Sequence, residues 1–212
     1  MHIDIVTLFV LNAMGPQVRV RHSLQYIQQL YDSGEDRSKL ENLIRAFRGI
    51  QALPPDDPKS FFHIGGLHGL PYRGPGETDP DWWGGYCWHE SALFPTWHRI
   101  YVLYIEDALR SIPGCQDVTL PFWDELLNLD SPREAIIPSV LTSLTFPLDG
   151  RTDNPLYSYK LQKALLDDAV EKERYRKPVG YETVRYPLSG EYRPAAAPPP
   201  WYSRRMLIYV VY

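Results

Sequence analysis

The chain has 212 residues, is 44% apolar and carries a formal net charge of −4. That is enough for one globular domain with a core, too acidic for a nucleic-acid surface, and too apolar for global disorder. Two cysteines argue against a disulfide framework, and no apolar run approaches the ~20 residues of a membrane span.

The N-terminal MHIDIVTLFVLNAMGP has a short apolar run and no basic segment before it, so it does not read as a signal peptide, and an intracellular protein is expected. GPQVRVRHSLQYI reads as an extended stretch leading into a short helix. The first strong helix is SKLENLIRAFRGIQAL. There Ser38 and Glu41 have capping-box spacing, and Leu40, Leu43, Ile44, Phe47 and Ile50 share one stripe. Ser60 is placed to cap a second helix through FFHIGGLHGL. Residues 71–88, rich in Pro, Gly, Asp and Trp, read as a loop.

A third helix is expected from about Glu90 to Arg110, with Leu93, Trp97, Tyr101, Tyr104 and Ala108 on its buried stripe. VTLPFWDELL reads as extended, 128–160 as irregular, YKLQKALLDDAVEKERYR as helical, and KPVGYETVRYPLSG as loop or short strand. From residue 191 an Ala/Pro run leads into RRMLIYVVY, whose β-branched character sets it apart.

Six histidines occur, at 2, 22, 63, 68, 89 and 98. His68, His89 and His98 flank the loop or lie in the helix after it. Two antiparallel helices joined by a loop can bring such residues together, and three imidazoles suit copper or zinc. By spacing alone, a metal site and three separately satisfied histidines stand as equal alternatives. His63, five before His68, falls on another helix face and reads as structural. His2 and His22 read as surface groups. Arg99 reads as the partner of a buried carboxylate such as Asp124 or Glu106.

HGLP followed by YCWHESALFPTWHR closely resembles the first copper-binding motif of the tyrosinase and catechol oxidase family, the type-3 copper proteins. The likeness continues through LPFWDE, IPSVLTS, LDGRTDNPLYSYK and KPVGYETVRYPLSG, and is greatest to fungal tyrosinases. It covers roughly residues 40 to 190. Glu125 stands where many relatives carry an aromatic.

The resemblance implies a mainly α, copper-centred helical bundle with long irregular loops. It implies His68, His89 and His98 as ligands of one copper, CuA. It implies Cys87 as the cysteine that in many relatives forms a thioether to the second of these histidines. Phe94, Trp97 and Arg99 would pack around the metal. The implied partners are a small phenol and O₂, with oxidation of phenols or catechols to o-quinones at two coppers.

The family's second histidine set has no counterpart here, since no histidine follows residue 98. The expectation is therefore the N-terminal part of a copper-binding domain over 1–190, cut before the second helix pair, with a non-family tail over 191–212. The alternatives are a half-site protein with one copper and no oxidase activity, a His₃ zinc hydratase or hydrolase, and a dimer that brings two CuA sites face to face. The uncovered apolar faces of such a half-bundle are expected to make the chain poorly soluble or partly molten.

Overall fold

The computed structural model describes residues 18–69, 85–87, 91–124, 137–165 and 177–183. Within these residues the chain forms five helices and one two-stranded sheet. Helix α1 spans Leu24–Ser33, α2 Ser38–Ala52, α3 Phe61–Leu67, α4 Phe94–Arg110 and α5 Ser139–Thr142. Strands β1, Thr145–Leu148, and β2, Arg151–Asp153, form an antiparallel hairpin.

Helix α2 is the centre of the packing and touches α1, α3 and α4. Its stripe Leu40, Leu43, Ile44 and Ile50 is fully buried, as the 3.6-residue spacing predicts. Against it lie Leu24 and Ile27 of α1, Ile64 of α3, and Tyr101, Ile105, Ala108 and Leu109 of α4. The helix opens differently from expectation. Ser38 is inside the helix rather than before it. Arg37 is the N-cap residue and makes no side-chain cap bond; Asp36, one residue earlier, accepts from the Ser38 N–H at 2.9 Å and from its hydroxyl at 2.6 Å. A charged acceptor next to the first orphan N–H groups outcompetes a serine hydroxyl. Ser60 does cap α3, taking the His63 N–H at 3.0 Å.

Helix α4 starts at Phe94, leaving Leu93 60% exposed at its N-cap instead of on the buried stripe. Its buried face is turned slightly, to Tyr101, Ile105, Ala108 and Leu109, with Trp97 and Tyr104 half-buried at the margin. Ile100 and Leu103 stand exposed on the outer side.

The hairpin lies in the stretch read as irregular. Asp149 and Gly150 both have positive φ, 54° and 75°, as a two-residue turn with the strands' own twist requires. Arg48, 5% exposed, fastens this hairpin to α2. Its guanidinium donates to the carbonyls of Leu148, Phe146 and Asp153, the first two at 3.0 and 2.7 Å.

The helix expected over 159–176 is overturned where it can be seen. Residues 159–165 run beside 177–183 instead. The Leu165 and Lys177 N–H groups each donate to the other's carbonyl, and the Leu161 N–H donates to Tyr181. A long-range backbone partner has displaced the local helical one. Residues 166–176, like the 191–212 tail and Glu125, lie outside the described residues.

VTLPFWD is extended, and Phe122 bridges Ser23 in parallel. No helix among the described residues is long and apolar enough to cross a membrane.

Candidate metal centre

Two helices and one short loop segment build the site. Helix α3 stops at Leu67, with His68 as its C-cap residue. His98 sits four residues into α4. Between them, residues 85–87 run back against the end of α3, where the Tyr86 N–H donates to the Leu67 carbonyl at 2.9 Å. Gly85 makes this approach possible. Its φ is +64°, and a Cβ there would meet the Gly69 nitrogen at 2.6 Å and the Leu67 carbonyl oxygen at 2.8 Å. Only a residue without a side chain can lie so close to that backbone. Two positions later this path delivers the buried Cys87.

The result is a convergence of three donor atoms. His68 Nε2 lies 3.2 Å from His98 Nε2, and Cys87 Sγ lies 3.3 Å from the same His98 atom. All three ligand atoms fall within 4.8 Å of one another. His98 Nδ1 is 2.7 Å from the Phe94 carbonyl, which can only accept, so Nδ1 carries the proton. In the neutral ring, the Nε2 lone pair then faces the cluster, the usual way a backbone carbonyl sets the tautomer of a metal-binding histidine. Burial pushes the Cys87 thiol up to about 11, so the free side chain is a neutral thiol at pH 7.

Aromatic rings wall the cluster. Phe94 and Trp97 lie 4.1 and 4.9 Å from the His98 ring. Trp97 and Tyr101 lie 5.8 and 5.7 Å from His68. A cavity of about 390 Å³ runs from beneath His68 into the core, lined by Leu43, Ile50, Ile64, Tyr101 and Ile105 among others.

Of the residues singled out in the sequence, the structure thus brings together His68, Cys87, His98, Phe94 and Trp97. His89, and with it the thioether expected at Cys87, lies outside the described residues. His63 is half-buried on α3 and is not among the converging donors. Arg99 is exposed and does not serve Glu106. That carboxylate is instead held by Arg19 at 3.0 Å and Arg21 at 2.9 Å, cations supplied by the extended stretch before α1. Gly85 carries no expectation from the sequence, whereas Tyr101, expected on the buried stripe, is buried and faces the His68 ring as well. The glycine doublet at 84–85, just before the cysteine, was the available signal for the first.

Imidazole and thiol donors without a carboxylate suit copper or zinc rather than a hard cation such as calcium or magnesium. A helical scaffold with such a donor set defines a candidate N/S metal protein. Its relatives show which kind. The family model described as the common central domain of tyrosinase matches residues 58–199. HcTyr2, a tyrosinase of Hahella sp. (strain CCB-MM4), is 52% identical over 184 residues, covering 82% of this chain and 32% of the relative. A tyrosinase of Aspergillus oryzae is 39% identical over 190 residues, covering 89% of this chain and 33% of the relative.

Among solved structures, tyrosinase from Burkholderia thailandensis at low pH superposes with a TM-score of 0.69 at 47% identity. That match covers 91% of this chain and 36% of the other. The chain belongs to the tyrosinase family, whose members bind copper. The likeness to fungal tyrosinases holds, and these two bacterial relatives stand higher in identity. The chain spans about a third of the length of these relatives. The family match runs past Gly190 to residue 199, into the segment set apart by composition.

Proposed function

We propose that this chain holds one copper ion of a type-3 pair, the CuA ion, as part of an oxidase that converts phenols or catechols to o-quinones with O₂. The observation that supports it is the convergence of His68 Nε2, His98 Nε2 and Cys87 Sγ within 4.8 Å in a chain of the tyrosinase family. His68 and His98 are the ligands, and His89 is the third by resemblance. Copper, when bound, supplies the one-electron redox chemistry that the protein's own side chains lack. The Phe94 carbonyl holds the His98 tautomer. Phe94 and Trp97 pack on the His98 ring, Trp97 also faces His68, and Gly85 lets Cys87 reach the cluster.

A second reading rests on the absence of any histidine after residue 98 in the sequence. The chain by itself then binds a single copper and does not turn over catechol. Both readings are tested together by loading the 212-residue chain with copper or zinc, measuring bound metal, and assaying catechol oxidation. About one copper per chain, lost in His98→Ala, supports the assignment, since three donors make a site for one ion. Catechol turnover by the copper-loaded chain rejects the half-site reading. Preference for zinc in the presence of copper rejects the copper assignment.

A further inference from the structure

Tyr101 lies one turn beyond His98 on α4 and is 5% exposed. Its hydroxyl donates to the Ile64 carbonyl, on α3, at 2.9 Å in a fully buried hydrogen bond. That carbonyl is available for a local reason. The His68 N–H turns to the Gly65 carbonyl at 3.2 Å, and the Gly69 N–H to Gly66, tightening the last turn of α3. Ile64 thereby loses the N–H four residues on that a continuing α-helix would give it. The Tyr101 ring also stacks on Trp97, 4.8 Å away at 19°, and the two rings form the corner in which the His68 imidazole sits. One side chain on the His98 helix therefore grips both the backbone turn and the ring of His68.

We infer that Tyr101 is a positioning residue for the metal. Its hydroxyl, bonded to Ile64, holds the His68 turn in register with His98, so coordination geometry and affinity depend on it as well as stability. The inference rests on the reading of His68 and His98 as ligands. Tyr104 offers an internal control. It lies on the same helix and donates to the Pro58 carbonyl at 2.6 Å, the same chemistry on the chain before α3, but makes no contact with either histidine ring.

The experiment compares the 212-residue wild type with Tyr101→Phe, Tyr104→Phe and His98→Ala. The readouts are copper affinity by chelator competition, the Cu(II) EPR spectrum, the visible Co(II) spectrum, and the melting of the metal-free forms. Tyr101→Phe is expected to bind copper about tenfold more weakly, the effect usual for a lost outer partner, with altered EPR and cobalt bands. Tyr104→Phe is expected to lose melting temperature only. Replacing Tyr101 by 4-aminophenylalanine restores a donor at the same place and is expected to bring back the wild-type spectra.

Unchanged affinity and spectra in a Tyr101→Phe protein that merely melts earlier would overturn the inference. So would a failure of the amino analogue to restore them in a folded protein. A wild type that binds no metal, or binds it equally after His98→Ala, removes the ligand reading, and this inference with it.

Discussion

Glu106 and His98 lie about two turns apart on the same helix, and their surroundings are opposites. Glu106 is fully buried and its oxygens are met by Arg19, Arg21 and the Leu120 N–H, at 2.9 to 3.0 Å. Burial alone would raise its pKa. The bonds from Arg21, Leu120 and Arg19 outweigh that and hold it below the usual carboxylate range. At His98, donor atoms face one another: two imidazole nitrogens 3.2 Å apart with a thiol beside them. Opposite charges close the first cluster on itself. The second gathers lone pairs, which a cation can join. A buried polar group serves the fold when its partners complete it, and serves a ligand when they converge.

Glu106→Gln breaks the closed cluster and is expected to cost on the order of 3 kcal/mol of stability, since two guanidinium groups lose their anion. Thermal unfolding measures this, and copper affinity stays at the wild-type value. The same pair of proteins gives a pH signature. A carboxyl depressed in the folded state contributes stability that is complete above its unfolded value, near ~4.3, and is lost as pH falls through the folded value. The wild-type advantage over Glu106→Gln is therefore expected to shrink as acid is added below about pH 4.5, and a constant difference across that range would refute the assignment.

His98→Ala makes the converse break. Copper affinity is expected to fall by ~100-fold or more, beyond what loss of an outer partner costs. The metal-free protein is expected to change by less than about 1 kcal/mol, as half-buried sites usually do.

Gly85→Ala sharpens the contrast on the ligand side. Forcing a Cβ into the left-handed region costs ~1–2 kcal/mol. It also pushes the Cys87 segment off the end of α3. Reduced thiol shielding toward a bulky alkylating reagent in the metal-free protein would report that movement. Unchanged labelling would show the segment tolerates the side chain.

The closed cluster was poorly legible in the sequence and the open one well. Histidines with a motif around them announce chemistry, and HGLP with CWHESALFPTWHR carries all five residues that the structure brings together, His68, Cys87, Phe94, Trp97 and His98. The periodicity of 38–53 likewise gave α2 and its buried stripe. Glu106 was read toward Arg99, seven residues back on its own helix, because local spacing is all that a pattern offers. Its two cationic partners, Arg19 and Arg21, sit more than eighty residues away. The helix expected over 159–176 gives way in 159–165 for the same reason, since the backbone partners of that stretch are at 177–183. Asp149-Gly150 did carry a turn signal, but the strands on either side are only four and three residues long, too short for alternation to show.

Arg48, finally, bears on how the chain folds as it is made. Its carbonyl partners at 146, 148 and 153 are translated about a hundred residues later, as are those of Arg19, Arg21 and Gln25. At ~5–20 residues per second, the α1–α2 pair leaves the ribosome roughly 5–20 s before the segments that close over it. For that interval Arg48, Arg19, Arg21 and Gln25 have only water to donate to, so their bonds are among the last that the chain can close.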